Sequence, residues 1–372
     1  MSAPSIPNLL SLRGRSGGRG RGFGGGRGRG GGFGPGRGLS HDATIQGTDT
    51  DAAISRLSAV DLGYLSDPFA RLFVQGPPTR RLPIINRGTY TRTTAIDKLV
   101  ERFLATTASY PRRQIVSLGA GTDTRCLRLF ASTKNRNITY HEIDFPEMIT
   151  RKRTIIESTP SLRTVLKTPE SISPTAWSVL CSSPDTGNRL ILHGLDLRKL
   201  PDTPLPNLDP DSPTLLISEC CLCYLQATDT TSVVGYFTKA IHAPISLVIY
   251  EPILPNDPFG RTMVSNLAAR GITMPTLEVY STPEQQEKRL RDAGFDEARS
   301  KTVNAIWNCW VGEEEKRRID LLEGGLDEVE EWELLAGHYI VVWGWTATRG
   351  QQGGIDLTVE DVKSGTAGQF FD

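Results

Sequence analysis

The stretch IVSLGAGTDTR, residues 115–125, restricts the fold of this chain more than any other part of its sequence. Its first residues are apolar and indicate a short buried strand, and its last residues indicate the start of a helix. Gly119 and Gly121 lie between them. Because glycine has no Cβ, the backbone can turn sharply there and approach a ligand closely. A G-x-G pattern without a third glycine is a weak sign of nucleotide binding when it stands alone.

A second predicted strand strengthens that sign. The residues ITYHEID, 138–144, form this strand and end on Asp144. An acid at the tip of the strand that follows a glycine turn can accept hydrogen bonds from a ribose hydroxyl group. Together, the glycine turn and Asp144 predict a cofactor that contains a nucleoside.

Further apolar runs follow at the spacing expected of an α/β protein. Short continuous runs are typical of strands that are covered on both faces. With the two strands above, they predict a seven-stranded, doubly wound α/β sheet of the Rossmann type with one late antiparallel strand. The additional runs occupy residues 190–195, 214–218, 245–250, 302–310 and 338–345.

Two predicted helices precede the glycine turn. The first carries Arg56, and the second follows directly on a basic and aromatic segment that contains Arg92. Apolar residues recur in both at roughly helical spacing. Ligands of open α/β sheets bind at the carboxyl ends of the strands. We therefore expect these helices, at about residues 43–110, to form a lid over that edge of the sheet.

Four residues at the tips of successive strands should converge on one crevice: Gly119, Asp144, Asp196 and Glu219. Magnesium sites usually accompany phosphate-binding elements, and no G-K-[ST] follows the glycine turn, so we expect no metal. Acids suit the N–H and O–H groups of an adenosine and a cationic ligand, which favours S-adenosylmethionine. A dinucleotide is less favoured, because Asp123 would face its pyrophosphate.

The charge of the chain is distributed unevenly. The 42 basic and 42 acidic residues balance overall, yet residues 1–41 contain seven arginines and no acid. Residues 11–38 are an Arg-Gly segment with two phenylalanines and too few apolar groups to offset the entropy of ordering. We expect residues 1–42 to be disordered. Such a segment could contact RNA weakly, or it could be a solubilising extension.

Several classes of protein are disfavoured. No apolar run approaches the roughly 18 residues that span a bilayer, and no apolar signal segment begins the chain, so we expect a cytoplasmic monomer without a membrane partner. Three of the six cysteines cluster at residues 220–223, but no histidine lies near them at zinc-finger spacing. Reduced thiols are therefore expected.

At this point the motifs closely resemble those of the leucine carboxyl methyltransferases. The similarity runs in order from about residue 53 to about residue 345, and the Arg-Gly segment lies outside it. The motifs are INRGTYTR at 85–92, VSLGAGTDT at 116–124, EIDFP at 142–146, TRK at 150–152, GLDLR at 194–198 and LISEC at 216–220. On this basis we expect a methyltransferase domain over residues 43–348 and a polar C-terminal tail over 349–372.

The resemblance implies a class I S-adenosylmethionine-dependent methyltransferase fold with an N-terminal helical lid. It also implies the reaction: methylation of the C-terminal leucine carboxylate of the protein phosphatase 2A catalytic subunit. A C-terminal carboxyl has a pKa of about 3.3–3.7, so it is already an anionic nucleophile at neutral pH and needs no general base. Tyr224 matches a tyrosine near the acceptor. The implied cofactor-binding residues are Arg56, Arg92, Gly119, Asp144, Asp196, Leu197 and Glu219.

Two alternatives stay open at this stage. A paralogous carboxyl methyltransferase of the tRNA wybutosine pathway resembles this domain but carries a C-terminal kelch propeller, and no repeat of roughly 50 residues occurs here. A non-catalytic RNA-binding protein on the same scaffold is the other, although the intact cofactor residues argue against it. Arg92 could hold either the carboxylate of the cofactor or that of the acceptor.

Overall fold

The computed structural model of this chain describes residues 41–347 and 354–362. The Arg-Gly segment lies outside the described residues, so its predicted disorder and its contact with RNA stay predictions. The helices are α1 His41–Asp61, α2 Pro83–Thr106, α3 Arg125–Ala131, α4 Pro146–Ser158, α5 Ala227–Ala240, α6 Pro258–Ala268, α7 Pro275–Val279, α8 Pro283–Asp292, α9 Val303–Trp310, α10 Glu313–Leu321 and α11 Val329–Gly337. None of them is long and apolar enough to cross a membrane.

The strands of the described part form one sheet. They are β1 Arg113–Leu118, β2 Ile138–Asp144, β3 Glu170–Ser173, β4 Ala176–Leu180, β5 Arg189–Gly194, β6 Thr214–Glu219, β7 Ile245–Pro252, β8 Glu297–Thr302 and β9 Tyr339–Trp345. Their order in the sheet is β3-β4-β5-β2-β1-β6-β7-β9-β8. Strands β5, β2, β1, β6 and β7 are parallel, and β9 runs antiparallel between β7 and β8. The predicted Rossmann-like core with one late antiparallel strand is therefore confirmed.

The predicted number of strands is wrong, because the hairpin of β3 and β4 adds two strands beyond β5. Strand β3 has only four residues, ESIS, and most of it is exposed. It therefore lacks both the apolar run and the clear alternation that identify a strand in a sequence. Its pairing with β4 becomes visible only in the sheet.

The predicted strand over residues 302–310 is also wrong. Strand β8 ends at Thr302, whose Oγ1 accepts a hydrogen bond of 3.1 Å from the N–H of Ala305 and so caps α9. The apolar side chains that suggested a strand recur at helical spacing and bury one face of that helix. These side chains are Val303, Ile306, Trp307 and Trp310.

The segment predicted as a polar C-terminal tail contributes to the core. Ile355 and Leu357 are buried, at 3% and 0% exposure. The indole Nε1 of Trp343 donates a hydrogen bond of 3.0 Å to the backbone oxygen of Leu357. Because this segment buries two apolar side chains and supplies the acceptor for a buried indole N–H, residues 354–362 belong to the folded domain.

Two buried histidines connect the neighbouring strands β2 and β5. Nδ1 of His141 lies 3.0 Å from Nε2 of His193, and the two rings stack with centroids 5.3 Å apart. Both side chains are almost completely buried. Burial lowers the pKa of His141 well below its usual value and that of His193 to about 4. The pair is therefore neutral in the folded protein at neutral pH.

This pair makes a prediction about acid stability. In the unfolded chain histidine titrates near about pH 6.5, so below that pH the unfolded state binds protons that the folded state does not. The contribution of this pair to the free energy of unfolding should therefore fall as the pH decreases below about 6.5, by up to about 1.4 kcal/mol per pH unit for each histidine. Urea unfolding of wild type and His193→Gln at neutral pH and at about pH 5 checks this, and the pH-dependent loss should be smaller in the variant. His242→Gln is the control, since the His242 side chain is 72% exposed. Equal losses in all three proteins would contradict the prediction.

Candidate functional site

A pocket lies at the carboxyl edge of the parallel strands. Helices α1 and α2 cover it from one side, and the loops after β1, β2, β5 and β6 form the other. The structure thus places the two predicted lid helices over this edge. All eight residues proposed from the sequence line the pocket: Arg56, Arg92, Gly119, Asp144, Asp196, Leu197, Glu219 and Tyr224.

The glycine turn after β1 brings backbone to the floor of the pocket. Gly119 and Gly121 have φ angles of +64° and +45°, in the left-handed region that favours glycine. A Cβ at Gly119 would lie 2.5 Å from Sγ of Cys221, and one at Gly121 would lie 2.3 Å from Oδ1 of Asp49. The turn therefore requires glycine at both positions, for its backbone conformation and for its neighbours.

Asp144, at the tip of β2, holds this turn. Its Oδ2 accepts a hydrogen bond of 2.7 Å from the N–H of Gly121, and its Oδ1 accepts one of 2.7 Å from the N–H of Phe145. Burial raises the pKa of Asp144 to about 6, although these two hydrogen bonds act in the opposite direction. The carboxylate is thus fixed beside the pocket and is mainly ionised at neutral pH.

Asp49 on α1 also binds the glycine turn, although no motif of the sequence singled it out. Its Oδ1 accepts hydrogen bonds from the backbone N–H and the hydroxyl of Thr122, at 2.7 and 2.8 Å. Asp144 and Asp49 therefore occupy the N–H groups of two successive residues in the turn. A dinucleotide pyrophosphate would need such donors, so this turn is poorly suited to a phosphate. The sequence does contain a signal for Asp49: it precedes Arg56 by seven residues and therefore lies on the same face of the predicted helix.

Buried arginines and carboxylates alternate behind the turn. Nε of Arg92 lies 2.8 Å from Oε1 of Glu219, and Nη1 of Arg56 lies 3.2 Å from Oδ1 of Asp123. Arg125, whose side chain is 1% exposed, pairs with both of these carboxylates. Burial alone would raise the pKa of Asp123, but Arg125 and Arg56 outweigh it and hold that pKa well below its usual value. Asp123 therefore stays ionised.

Asp196 begins the 3-10 turn after β5. Its Oδ1 accepts a hydrogen bond of 3.0 Å from the backbone N–H of Arg198, and the Arg198 guanidinium donates to both carboxylate oxygens at 2.7–3.0 Å. Nη2 of Arg198 also contacts Oδ2 of Asp42 on α1 at 2.8 Å. Leu197 beside it is 6% exposed and gives the pocket wall an apolar surface. This corner combines a fixed carboxylate with an apolar wall.

Tyr224 lies in the short turn after β6. It is 5% exposed, and burial raises the pKa of its hydroxyl well above the usual value. The hydroxyl is therefore protonated at neutral pH and can donate a hydrogen bond. Within residues 41–347 and 354–362, no group of three or more His, Cys, Asp or Glu side chains is placed to hold a metal ion.

These residues suit a nucleoside with a zwitterionic end. Asp144 and Asp196 can accept hydrogen bonds from hydroxyl and amine groups, and Arg56 and Arg92 can attract a carboxylate. Oδ2 of Asp49 is buried and accepts no hydrogen bond from the described residues. S-adenosylmethionine, which carries an adenosine, a carboxylate, an ammonium and a sulfonium, matches this set of groups.

The turn itself makes a prediction. Gly119→Ala would place a Cβ against Cys221 and force a left-handed φ, which costs about 1–2 kcal/mol for a residue other than glycine. We expect a lower melting temperature and weaker binding of S-adenosylmethionine in calorimetric titration. Gly235→Ala is the matched control, because nothing lies within 4 Å of the added Cβ in α5 and alanine favours the helix by about 0.5–1 kcal/mol. A Gly119→Ala variant as stable and as tight-binding as this control would contradict the assignment.

Comparisons with known proteins bear directly on this site. A family model described as leucine carboxyl methyltransferase matches residues 45–238, which include the glycine turn and every predicted site residue. Among solved structures, magnesium protoporphyrin IX methyltransferase of Synechocystis, with bound S-adenosylhomocysteine, is similar at 11% identity and a TM-score of 0.38. That likeness covers 75% of this chain and 92% of that one.

Relatives extend the similarity to the whole chain. Leucine carboxyl methyltransferase 1 of Aspergillus fumigatus is 46% identical over 100% of both chains. The proteins of the same name from Emericella nidulans and Yarrowia lipolytica are 48% and 42% identical, covering 93% and 84% of this chain and 95% and 99% of theirs. The resemblance that the motifs indicated is thereby confirmed, and with it an enzyme that uses S-adenosylmethionine for carboxyl methylation. By its motifs, its fold and these relatives, the chain belongs to the leucine carboxyl methyltransferase family.

Proposed function

We propose that this enzyme transfers the methyl group of S-adenosylmethionine to the α-carboxylate of the C-terminal leucine of protein phosphatase 2A catalytic subunits. The product is a leucine methyl ester. Family membership supports the reaction type, and one feature of the pocket supports an acceptor that is already ionised. Carboxylates at the floor of the pocket are each held by arginines or by backbone N–H groups: Asp123, Asp144, Asp196 and Glu219.

That arrangement leaves no obvious base for a neutral acceptor. His41 stands at the exposed rim, where its Nε2 lies 2.8 Å from the hydroxyl of Thr273. Arginines hold Asp123, Asp196 and Glu219, and backbone N–H groups hold Asp144. Carboxylates held in this way remove a proton from an alcohol or amine poorly. A C-terminal carboxylate has lost its proton before it binds. The residues of the chain then need only to orient two reactants and exclude water.

The cofactor supplies an electrophilic methyl group on a sulfonium, which leaves as a neutral thioether when the carboxylate oxygen attacks. Asp144 would hold the ribose, and Asp196 with Leu197 would hold the adenine. Arg92 contacts Glu219 through Nε, which leaves its two terminal nitrogens for a carboxylate. We propose that Arg92, with Arg56 beside it, binds the carboxylate of the cofactor. Glu219 would then orient Arg92.

Tyr224 is the residue that we assign to the acceptor. Its protonated hydroxyl can donate a hydrogen bond to the leucine carboxylate, and the residue lies in the turn that follows Glu219. We also propose a cytoplasmic enzyme that acts as a monomer. Contact between the Arg-Gly segment and RNA is kept as a separate prediction.

The cofactor assignment predicts that Asp144→Ala and Glu219→Ala weaken binding of S-adenosylmethionine about ten- to a hundredfold, since each removes an interaction with a charged group. Calorimetric titration of the folded variants measures this. Because the pKa of Asp144 is raised to about 6, the affinity of wild type should also weaken as the pH falls below that value. Glu297→Gln, an exposed acid on the edge strand β8, is the control and should bind like wild type. Unchanged affinity in both alanine variants would remove these residues from the site.

The acceptor assignment predicts a strict requirement for a free terminal leucine. Replacing it by alanine should strongly reduce transfer. An apolar pocket discriminates by about 1–3 kcal/mol for each methylene lost, and alanine lacks several carbon atoms of leucine. Amidating the terminus, or adding one residue after it, should abolish methylation of the original site. The measurement is base-labile radiolabel incorporated into purified phosphatase variants from labelled cofactor.

Equal labelling of all phosphatase variants would contradict this acceptor. The two alternatives from the sequence give other outcomes. Label in tRNA instead of protein would indicate the tRNA-modifying reaction, and cofactor binding without transfer to either substrate would indicate a binding protein.

A further inference from the structure

The charges around the pocket are balanced everywhere except at one end. Asp123, Glu219 and Asp196 each form an ion pair with an arginine. Asp49 forms none within the described part of the chain. Oδ1 of Asp49 accepts two hydrogen bonds from Thr122, and Oδ2 of Asp49 is buried without a hydrogen-bond partner among the described residues. Asp144, which also lacks an arginine, lies close enough that the charge of Asp49 raises its pKa. This end of the pocket therefore carries two carboxylates that form no ion pair with a cation of the described residues, although the charge of Lys152, which pairs with Glu142, also acts on Asp144.

Helix α1 meets the glycine turn at two points of opposite charge. Asp49 binds Thr122, and Arg56, two helical turns later, pairs with Asp123. These contacts join α1 to successive residues of the turn. An amino acid zwitterion bound between helix and turn would find a cation at one contact and an anion at the other. The methionine end of the cofactor is such a zwitterion, with a carboxylate and an ammonium on one carbon.

We propose that Asp49 is a cofactor-positioning residue, whose free carboxylate oxygen pairs with the α-ammonium group of S-adenosylmethionine. The other oxygen keeps its hydrogen bonds to Thr122, so α1 stays attached to the glycine turn while the cofactor is bound. Arg56 and Arg92 attract the carboxylate of the same amino acid, and Asp49 completes the complementary pair. The assignment depends on the cofactor and not on the acceptor, so it can fail while the proposed leucine acceptor stands, and the reverse.

Substitution by asparagine separates the two roles of Asp49. The asparagine oxygen can still accept both hydrogen bonds from Thr122, but the negative charge at the second position is lost. Asp49→Ala removes both the charge and the attachment. Asp51 offers a matched control two residues along the same helix. It pairs with Arg81 at 3.3 Å and with Arg270 at 2.8 Å, and it does not line the pocket.

The test is calorimetric titration of the full chain with three ligands. S-adenosylmethionine has both the ammonium and the sulfonium, S-adenosylhomocysteine has only the ammonium, and methylthioadenosine has neither. Asp49→Asn should weaken the first two about ten- to a hundredfold and leave the third within about twofold of wild type. Asp51→Asn should change the affinities for all three ligands by the same factor, so this control should not distinguish among them.

Hydrogen exchange of residues 41–61 reports the attachment of α1 independently of binding. Exchange should be unchanged in Asp49→Asn and faster in Asp49→Ala. Three results would overturn the proposal. If Asp49→Asn weakened the affinity for all three ligands equally, Asp49 would contact the ribose or only attach the helix. If only the affinity for S-adenosylmethionine fell, Asp49 would contact the sulfonium. If all three affinities stayed at the wild-type values, Asp49 would not belong to the site.

Discussion

A single buried guanidinium holds the site together. Arg125 contacts Asp97 of α2 at 2.7 Å and also pairs with Asp123 of the glycine turn and Glu219 at the tip of β6. The lid helix, the turn and a neighbouring strand thus share one cation. Removing one partner of a buried ion pair typically costs about 3–5 kcal/mol, because the remaining charge stays buried without compensation. The positions of the cofactor residues therefore depend on this arginine, although it does not line the pocket.

The parallel sheet explains why residues far apart in the chain meet at that cation. Five parallel strands end at the same edge, and the residues that follow β1, β2, β5 and β6 line the same crevice. Helix α1 closes the crevice with many polar contacts rather than with a broad apolar face. Asp42 contacts the turn after β5, Asp49 and Arg56 both contact the glycine turn, and Asp51 contacts Arg270 after α6. A cover attached in this way can respond to the charge of what binds beneath it.

The chemistry follows from the same balance of charges. Arginines and backbone N–H groups hold the carboxylates at the floor of the pocket, so the pocket can position a charged cofactor but offers little to remove a proton. A reaction whose nucleophile is ionised before it binds suits such a site, and carboxyl methylation is one. Charge alone then cannot select the acceptor, since carboxylates on a protein surface are generally ionised at neutral pH.

The sequence by itself determined the sheet, the glycine turn, the strand-tip residues and the family. Each of these depends on a local pattern: an apolar run, a glycine that must adopt a positive φ, or an acid that follows a strand. The tertiary structure decided what local patterns cannot express. The apolar residues of α9 pack as a helix that Thr302 caps, and the polar strand β3 gains its place by pairing. Ile355 and Leu357 are buried, and the backbone of Leu357 accepts a hydrogen bond from Trp343. Periodicity places Asp49 on the same helix face as Arg56, but its contact with Thr122, 73 positions away in the sequence, depends on how α1 docks on the sheet, which a local pattern does not show.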